Sequence, residues 1–285
     1  MIKAKKKFGQ NFLNDDIILN KIIQSMPKDD LKVVEIGPGL GDLTKKLLQH
    51  KKVVAFEIDD DLCQILKSNL GSFIKKGQLD LKCKDVLQYW ENKNLLEYKY
   101  NLIANLPYYI ATRIILKLLK DDNCVNILAM IQKEVAEKFC ATHNNRDFGA
   151  ISIITGLVGK SEILFDILPE YFTPSPKVTS SFLKIEKKKE LVGKSGVFQN
   201  DNELLRFERY LRTCFLAPRK TLRKNLLSYD KDIIASCFDT FGIELNTRPH
   251  QLSPTKYLKI FKKVEDERKK NRGNCTQTTS NKPKQ

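Results

Sequence analysis

The sequence predicts an α/β domain with a mostly parallel sheet, followed by a small all-helical domain. Three observations carry this. Between residues 32 and 131 short β-rich runs alternate with helical ones; a glycine-rich turn, Glu35-Ile36-Gly37-Pro38-Gly39-Leu40-Gly41, joins the first run to a helix; and beyond a lysine-rich stretch at 187–196 the pattern is helical. Alternating strands and helices close into a parallel sheet through right-handed crossovers. With 285 residues the chain has room for one large domain with a real core plus a small one. The expected boundaries are 1–190 for the first domain with its basic N-terminal segment, 197–264 for the helical domain, and 266–285 for a polar, lysine-rich tail expected to be disordered.

Lys and Arg number 50 against 34 Asp and Glu, a formal charge of +16. That excess points to a polyanionic partner, nucleic acid before an anionic membrane, since no apolar run is long enough to span or anchor. A general lysine bias that only solvates the surface is the competing reading. The start, Met1-Ile2-Lys3-Ala4-Lys5-Lys6-Lys7, is not followed by an apolar stretch, so no secretory signal is read and a cytoplasmic protein is expected. The seven cysteines are an odd number without C-x-x-C spacing. Disulfides and a zinc cluster are therefore not expected, and no metal site is read.

Taken in order, Gly9-Gln10-Asn11-Phe12-Leu13 precedes Asn14, the expected N-cap of an amphipathic helix ended by Pro27. Strands are expected near 32–36, 53–58, 79–83, 101–104 and 125–131. The glycines after the first strand permit positive φ and a close approach of a ligand to the backbone. Their spacing is G-x-G-x-G, unlike the G-x-G-x-x-G of dinucleotide-binding turns, and Glu57 ends the second strand, twenty positions after Gly37. A carboxylate there suits both hydroxyls of a ribose. The acid at Glu35 would repel a pyrophosphate and attract the ammonium end of S-adenosylmethionine (SAM) or its bound water, which favours SAM over NAD or FAD.

Asp85, at the carboxyl end of the third strand, is placed either to accept from an adenine amino group or simply to cap the next turn. The fourth strand runs into Asn105-Leu106-Pro107-Tyr108-Tyr109-Ile110. Pro107 stiffens the turn, so that the Asn105 side-chain oxygen and the Leu106 carbonyl can face one amino group while an aromatic ring stacks on its base. A helix over 148–158 and strands near 160–168 and 180–186 follow. Between those strands Phe172 sits on the stiff loop Thr173-Pro174-Ser175-Pro176, either clamping a flat ligand or packing inward. In the helical region Arg206, Arg209 and Arg212 recur on one face, and Pro218 is expected to open a helix carrying Arg219, Lys220, Arg223 and Lys224.

Assembled, these residues resemble the KsgA family of ribosomal RNA adenine dimethyltransferases from about Lys7 to Lys262. Gly9 to Leu13, Glu35 to Gly41, Asn105 to Tyr108, Gln132-Lys133-Glu134-Val135 and Phe172 to Val178 stand in that family's order and spacing. The resemblance implies a Rossmann-like class I SAM-dependent methyltransferase domain and no metal. It implies cofactor contacts at Asn11, Leu13, Gly37, Gly39, Glu57, Asp85 and Asn105. The methyl acceptors would be the 6-amino groups of two adjacent adenines near the 3′ end of 16S rRNA in the immature small ribosomal subunit. Asn105, Leu106 and Pro107 would present the amine, and Tyr108 and Phe172 would hold the base. A monomer is expected.

The related Erm enzymes of large-subunit rRNA share the glycine turn and the Asn-x-Pro-Tyr loop. The Gly-Gln-Asn-Phe-Leu start, the Asn-Leu-Pro-Tyr-Tyr-Ile sequence and the run Arg219 to Leu226 favour KsgA. One departure is Pro218-Arg219, where that family often has two arginines before the lysine, which weakens the implied RNA contact. A ribosome-assembly factor whose binding outweighs its catalysis is compatible with the same residues. An NAD-dependent oxidoreductase is disfavoured by Glu35 and the glycine spacing.

Overall fold

The computed structural model describes Lys5 and residues 8–277, with side chains to residue 270. Two compact units emerge: one formed by the chain to Cys140 together with Val158–Val197, the other by Ala141–Leu157 together with the chain from Phe198 onward. The first domain is therefore not the continuous stretch 1–190. Residues 141–157 leave it for the helical unit, since their apolar helix packs there: Gly156 abuts the Pro254 ring, and the Phe148 and Phe215 rings lie 6.5 Å apart.

The strands, in chain order, are β1 (Phe12–Leu13), β2 (Lys32–Ile36), β3 (Val53–Glu57), β4 (Leu79–Cys83), β5 (Tyr100–Asn105), β6 (Cys124–Gln132), β7 (Gly159–Ile167), β8 (Phe172–Thr173) and β9 (Ser180–Lys187). Seven of them form one sheet in the order β4-β3-β2-β5-β6-β9-β7. The first five in that order are parallel, and β9 runs antiparallel to both β6 and β7. The five parallel strands match the expected strands to within a residue or two. Strands such as Val53–Glu57 are buried along their whole length, as parallel strands covered on both faces must be.

The first six helices are α1 (Asp16–Gln24), α2 (Asp42–Leu47), α3 (Asp60–Asn69), α4 (Gly71–Lys75), α5 (Val86–Tyr89) and α6 (Tyr108–Lys120). The N-cap of α1 is Asp15 rather than Asn14: its carboxylate accepts from the Ile18 N–H at 2.9 Å, and a charged acceptor at a helix N-terminus is favoured by the dipole as well. From β2 the chain moves outward to β3 and β4, then returns to the other side of β2 at β5. Such a reversal leaves a crevice at the carboxyl ends of the strands. That crevice is where Glu35 to Gly39, Glu57, Asp85 and Asn105 converge.

Two features of this unit depart from the pattern read along the chain. Cys63, in the first turn of α3, and Cys83, the last residue of β4, are paired as a disulfide with their Cα atoms 6.0 Å apart. They meet because β3 and β4 run in parallel register, with Cys83 opposite Glu57. Twenty residues of separation conceal that from a spacing rule. Phe172, expected on a stiff loop either at a ligand or packed inward, pairs through β8 with Leu13 on β1 and sits in the main hydrophobic core, 3 % exposed.

Helices α7 (Lys133–Cys140) and α8 (Ala150–Val158) precede β7; α9 (Asp201–Cys214), α10 (Leu222–Asn225), α11 (Lys231–Thr240) and α12 (Pro254–Gln277) follow β9. The helical unit is held by an aromatic core: Phe207 of α9 lies 4.9 Å from Phe198 and 5.1 Å from Phe261 of α12, measured between ring centroids. Pro218 does not open a helix. Arg219 and Lys220 lie in the turn before α10, whose N-cap is Thr221. Helix α12 also runs past residue 266, against the expectation of disorder, to Gln277. Glu267 pairs with Lys270 and Glu265 with Arg268 at i,i+3 spacing, and strong helix formers dominate that stretch. The rest of the expected disordered tail, 278–285, lies outside the described residues, as do most of the N-terminal lysines.

Candidate active site

A cavity of about 300 Å³ opens at the carboxyl ends of β2, β3, β4 and β5, within the size range of small-ligand sites. Asn11, Leu13, Gly37, Gly39, Glu57, Asp85, Asn105, Leu106, Pro107 and Tyr108 all line it. Of the expected site residues Phe172 alone does not. It is buried where β8 pairs with β1, which is the inward-packing alternative read from its loop.

The glycine turn shapes one wall. Gly37 and Gly39 adopt φ of 73° and 61°, where side chains are strained. A Cβ at Gly39 would also stand 3.0 Å from the Phe12 ring, so only glycine leaves both the turn and the cavity wall in place. The Gly39 N–H donates to Glu57 Oε2 at 3.2 Å and the Asp59 N–H to Glu57 Oε1 at 2.9 Å. Burial pushes the Glu57 carboxyl up, and these backbone donors work against that rise. Each oxygen retains lone-pair capacity toward the cavity. A buried carboxylate with donors behind it and open lone pairs in front fits the diol of a ribose, so the residues present suit a nucleoside-bearing cofactor.

Glu35 is different. It is 2 % exposed and accepts from the Thr44 hydroxyl at 2.7 Å. Burial raises its pKa to about 8, the Thr44 hydrogen bond opposes this, and the nearby Glu57 charge adds to it. Within this chain Glu35 is thus mainly a neutral acid at pH 7, rather than the carboxylate expected, and a cation in the cavity would draw its pKa down. The consequence for stability has a definite sign. The unfolded carboxyl ionises near 4.5 and the folded one near 8, so the stability held below pH 4.5 is lost as pH rises toward 8, by a few kcal/mol. Glu35→Gln is expected to flatten the fall in Tm between pH 5 and 8.5; an unchanged slope would show that Glu35 does not titrate there.

Asp85 combines the capping role with a place at the cavity. It is the N-cap of α5, its Oδ1 accepting from the Leu87 N–H at 2.8 Å, and it also lines the cavity. Asn105 ends β5, and its Nδ2 donates to the Asn11 carbonyl at 3.0 Å. That bond fixes the amide plane, so Oδ1 is the atom left to accept, and among the described residues nothing donates to it. The Leu106 N–H donates to the Met130 carbonyl at 3.1 Å, anchoring the motif to β6 before Pro107 opens α6. Tyr108 lies at the cavity with its hydroxyl 2.5 Å from Ser180 Oγ, which directs the ring. Its pKa is raised by burial, with the Ser180 hydrogen bond acting the other way.

Sequence reasoning missed several lining residues: Phe8, Gln10, Ile58, Lys84, Tyr109 and Arg113. Tyr109 is 60 % exposed at the cavity, and Arg113 lies four residues further along α6. Their i,i+4 spacing on a helix that starts at the chemical motif was the available signal. Thr44 and Ser180 act from behind Glu35 and Tyr108, and only the packing of the sheet reveals them.

Similarity to known proteins adds the family. The family model for ribosomal RNA adenine dimethylase matches residues 1–266. The chain is 49 % identical over 279 residues to ribosomal RNA small subunit methyltransferase A of Campylobacter concisus, covering 96 % of this chain and 100 % of that protein. It is also 49 % identical over 262 residues to the protein of that name from Sulfurimonas denitrificans, covering 92 % and 94 %. Among solved structures, a dimethyladenosine transferase from Plasmodium falciparum shares the fold with a TM-score of 0.72 at 24 % identity, covering 89 % of this chain and 98 % of that one. The 23S rRNA methyltransferase ErmE does so with a TM-score of 0.68 at 21 % identity, covering 90 % and 100 %. The chain belongs to the ribosomal RNA adenine dimethylase family.

Proposed function

We propose that this protein is a SAM-dependent rRNA (adenine-N6,N6)-dimethyltransferase. It dimethylates two adjacent adenines near the 3′ end of 16S rRNA in the immature small subunit, and it works as a cytoplasmic monomer. The observation that carries the chemistry is the Asn105 amide, locked through the Asn11 carbonyl and leaving Oδ1 as an acceptor in the cavity that Glu57 and Asp85 also line. The relatives named for the small subunit favour 16S over 23S rRNA as substrate.

SAM, when bound, supplies a methyl group made electrophilic by its sulfonium. Glu57 accepts from the ribose hydroxyls, and the Asp85 oxygen not used in capping accepts from the cofactor's adenine amine. The target adenine must leave its stack to enter the cavity, and the Tyr108 ring offers the replacement surface. An adenine 6-amino group is a poor nucleophile because its lone pair is delocalised into the ring. Asn105 Oδ1 and the Leu106 carbonyl accept its hydrogens and draw them out of the ring plane, which restores lone-pair character. Positioning then supplies most of the acceleration.

RNA affinity follows from charge. Arg206 is engaged by Glu265, whereas Arg219, Lys220 and Arg223 are exposed and carry the phosphate contacts in this reading. Neutralising those three together is expected to weaken small-subunit binding. It should also flatten the log-log salt dependence by roughly 0.7 to 0.9 per lost contact. A salt titration with identical slopes would relegate them to ordinary surface charge.

The substrate reading is tested by offering labelled SAM and purified protein separately to small and large subunits that lack these modifications. Label in small subunits is the expected outcome, and label confined to large subunits would favour an Erm-type enzyme. Sedimentation of the free protein at a mass near 32.9 kDa is the expected mark of a monomer, and a mass twice that would contradict it.

A further inference from the structure

The segment Phe8–Leu13 forms one side of the cavity, and it is tied to the opposite strand ends by a compact polar cluster. Lys5 Nζ donates to Asp59 Oδ1 and to Asp61 Oδ2, both at 2.6 Å. Gln10 Nε2 donates to the other Asp59 oxygen at 2.9 Å, while Gln10 Oε1 accepts from the Lys5 N–H at 2.7 Å. Asp59 is 2 % exposed. Its own N–H donates to Glu57, the proposed ribose acceptor.

We propose that Lys5, Gln10 and Asp59 form a latch: they are positioning residues that hold the segment Phe8–Leu13 against the cavity and set how long SAM stays bound. The inference rests on the cofactor reading above. A buried carboxylate stripped of its cationic and amide donors is costly, so the closed arrangement is favoured as long as both Lys5 and Gln10 reach Asp59. Burial alone would raise the Asp59 carboxyl, yet the Lys5 and Gln10 hydrogen bonds hold it below its usual range, consistent with an ionised anchor. The segment matters to the site at two further points. The Asn11 carbonyl receives the Asn105 amide, and the Phe12 ring packs over Gly39. Releasing the latch therefore loosens a cavity wall and the partner that orients Asn105.

The test uses Lys5→Met and Gln10→Met, which leave Asp59 free to cap α3, with Lys5→Arg as the conservative rescue. SAM dissociation is measured by chase from the full-length protein, and chymotryptic cleavage after Phe8 reports release of the segment. Lys5→Met and Gln10→Met are each expected to speed dissociation on the order of tenfold, the scale of one charge-assisted hydrogen bond to a buried carboxylate, and to speed cleavage, while Lys5→Arg stays near wild type. Unchanged dissociation and cleavage in both Met variants would overturn the latch alone. Failure of the wild-type protein to bind SAM would overturn the cofactor reading, and the latch with it.

Discussion

Replacing Asn105 with alanine is expected to slow methyl transfer by about 10²- to 10³-fold, the usual loss when a group that stabilises developing charge is removed, while rRNA binding changes little. The difference follows from where the residue acts. Its oxygen interacts most strongly when the adenine amine pyramidalises and becomes positive, so the loss falls on the transition state rather than on the ground-state complex. Asn105→Asp separates the two ends of the amide. It keeps an acceptor but discards the Nδ2 donor to the Asn11 carbonyl, so the carboxylate is left facing that carbonyl and is expected to swing away. Single-turnover methylation and filter binding measure the two quantities. Equal losses in both would assign Asn105 to binding.

Glu57→Ala is the second large effect. It removes the acceptors for both ribose hydroxyls and also strands the Gly39 and Asp59 N–H groups that Glu57 now satisfies. A loss of about 2 to 4 kcal/mol in SAM affinity is expected from charge-assisted hydrogen bonds in a buried setting. Glu57→Gln retains one acceptor but turns an NH₂ toward one of those donors, and is expected to fall between. Calorimetric titration with SAM decides; unchanged affinity in Glu57→Ala would sink the ribose assignment.

The sheet was legible because its parallel strands are buried runs bounded by glycines and acids, and because each signal is local. The site residues on strand ends were legible for the same reason: Glu57, Asp85 and Asn105 fall where strand periodicity stops, and the crossover at β2 gathers them. What the sequence concealed depends on pairing between distant segments. Phe172 reads as a loop aromatic until β8 pairs with β1. Cys63 and Cys83 look unrelated until β3 and β4 lie side by side. The raised pKa of Glu35 follows from burial, which no motif specifies, and the proposed latch joins Lys5 and Gln10 to Asp59 across 54 and 49 positions. The helical stretch beyond Asp266 is hidden for another reason: its low complexity masks strong helix formers and i,i+3 ion pairs.

Placement of N6,N6-dimethyl groups on two adjacent adenines of 16S rRNA is tested most directly by mass spectrometry of 16S rRNA from cells lacking the protein, before and after incubating their small subunits with purified protein and SAM. Two adjacent unmodified adenines near the 3′ end are expected, both of which become dimethylated with the wild-type protein and stay unmodified with Asn105→Ala. Dimethylation already complete in cells without the protein, or none gained on its addition, would contradict it.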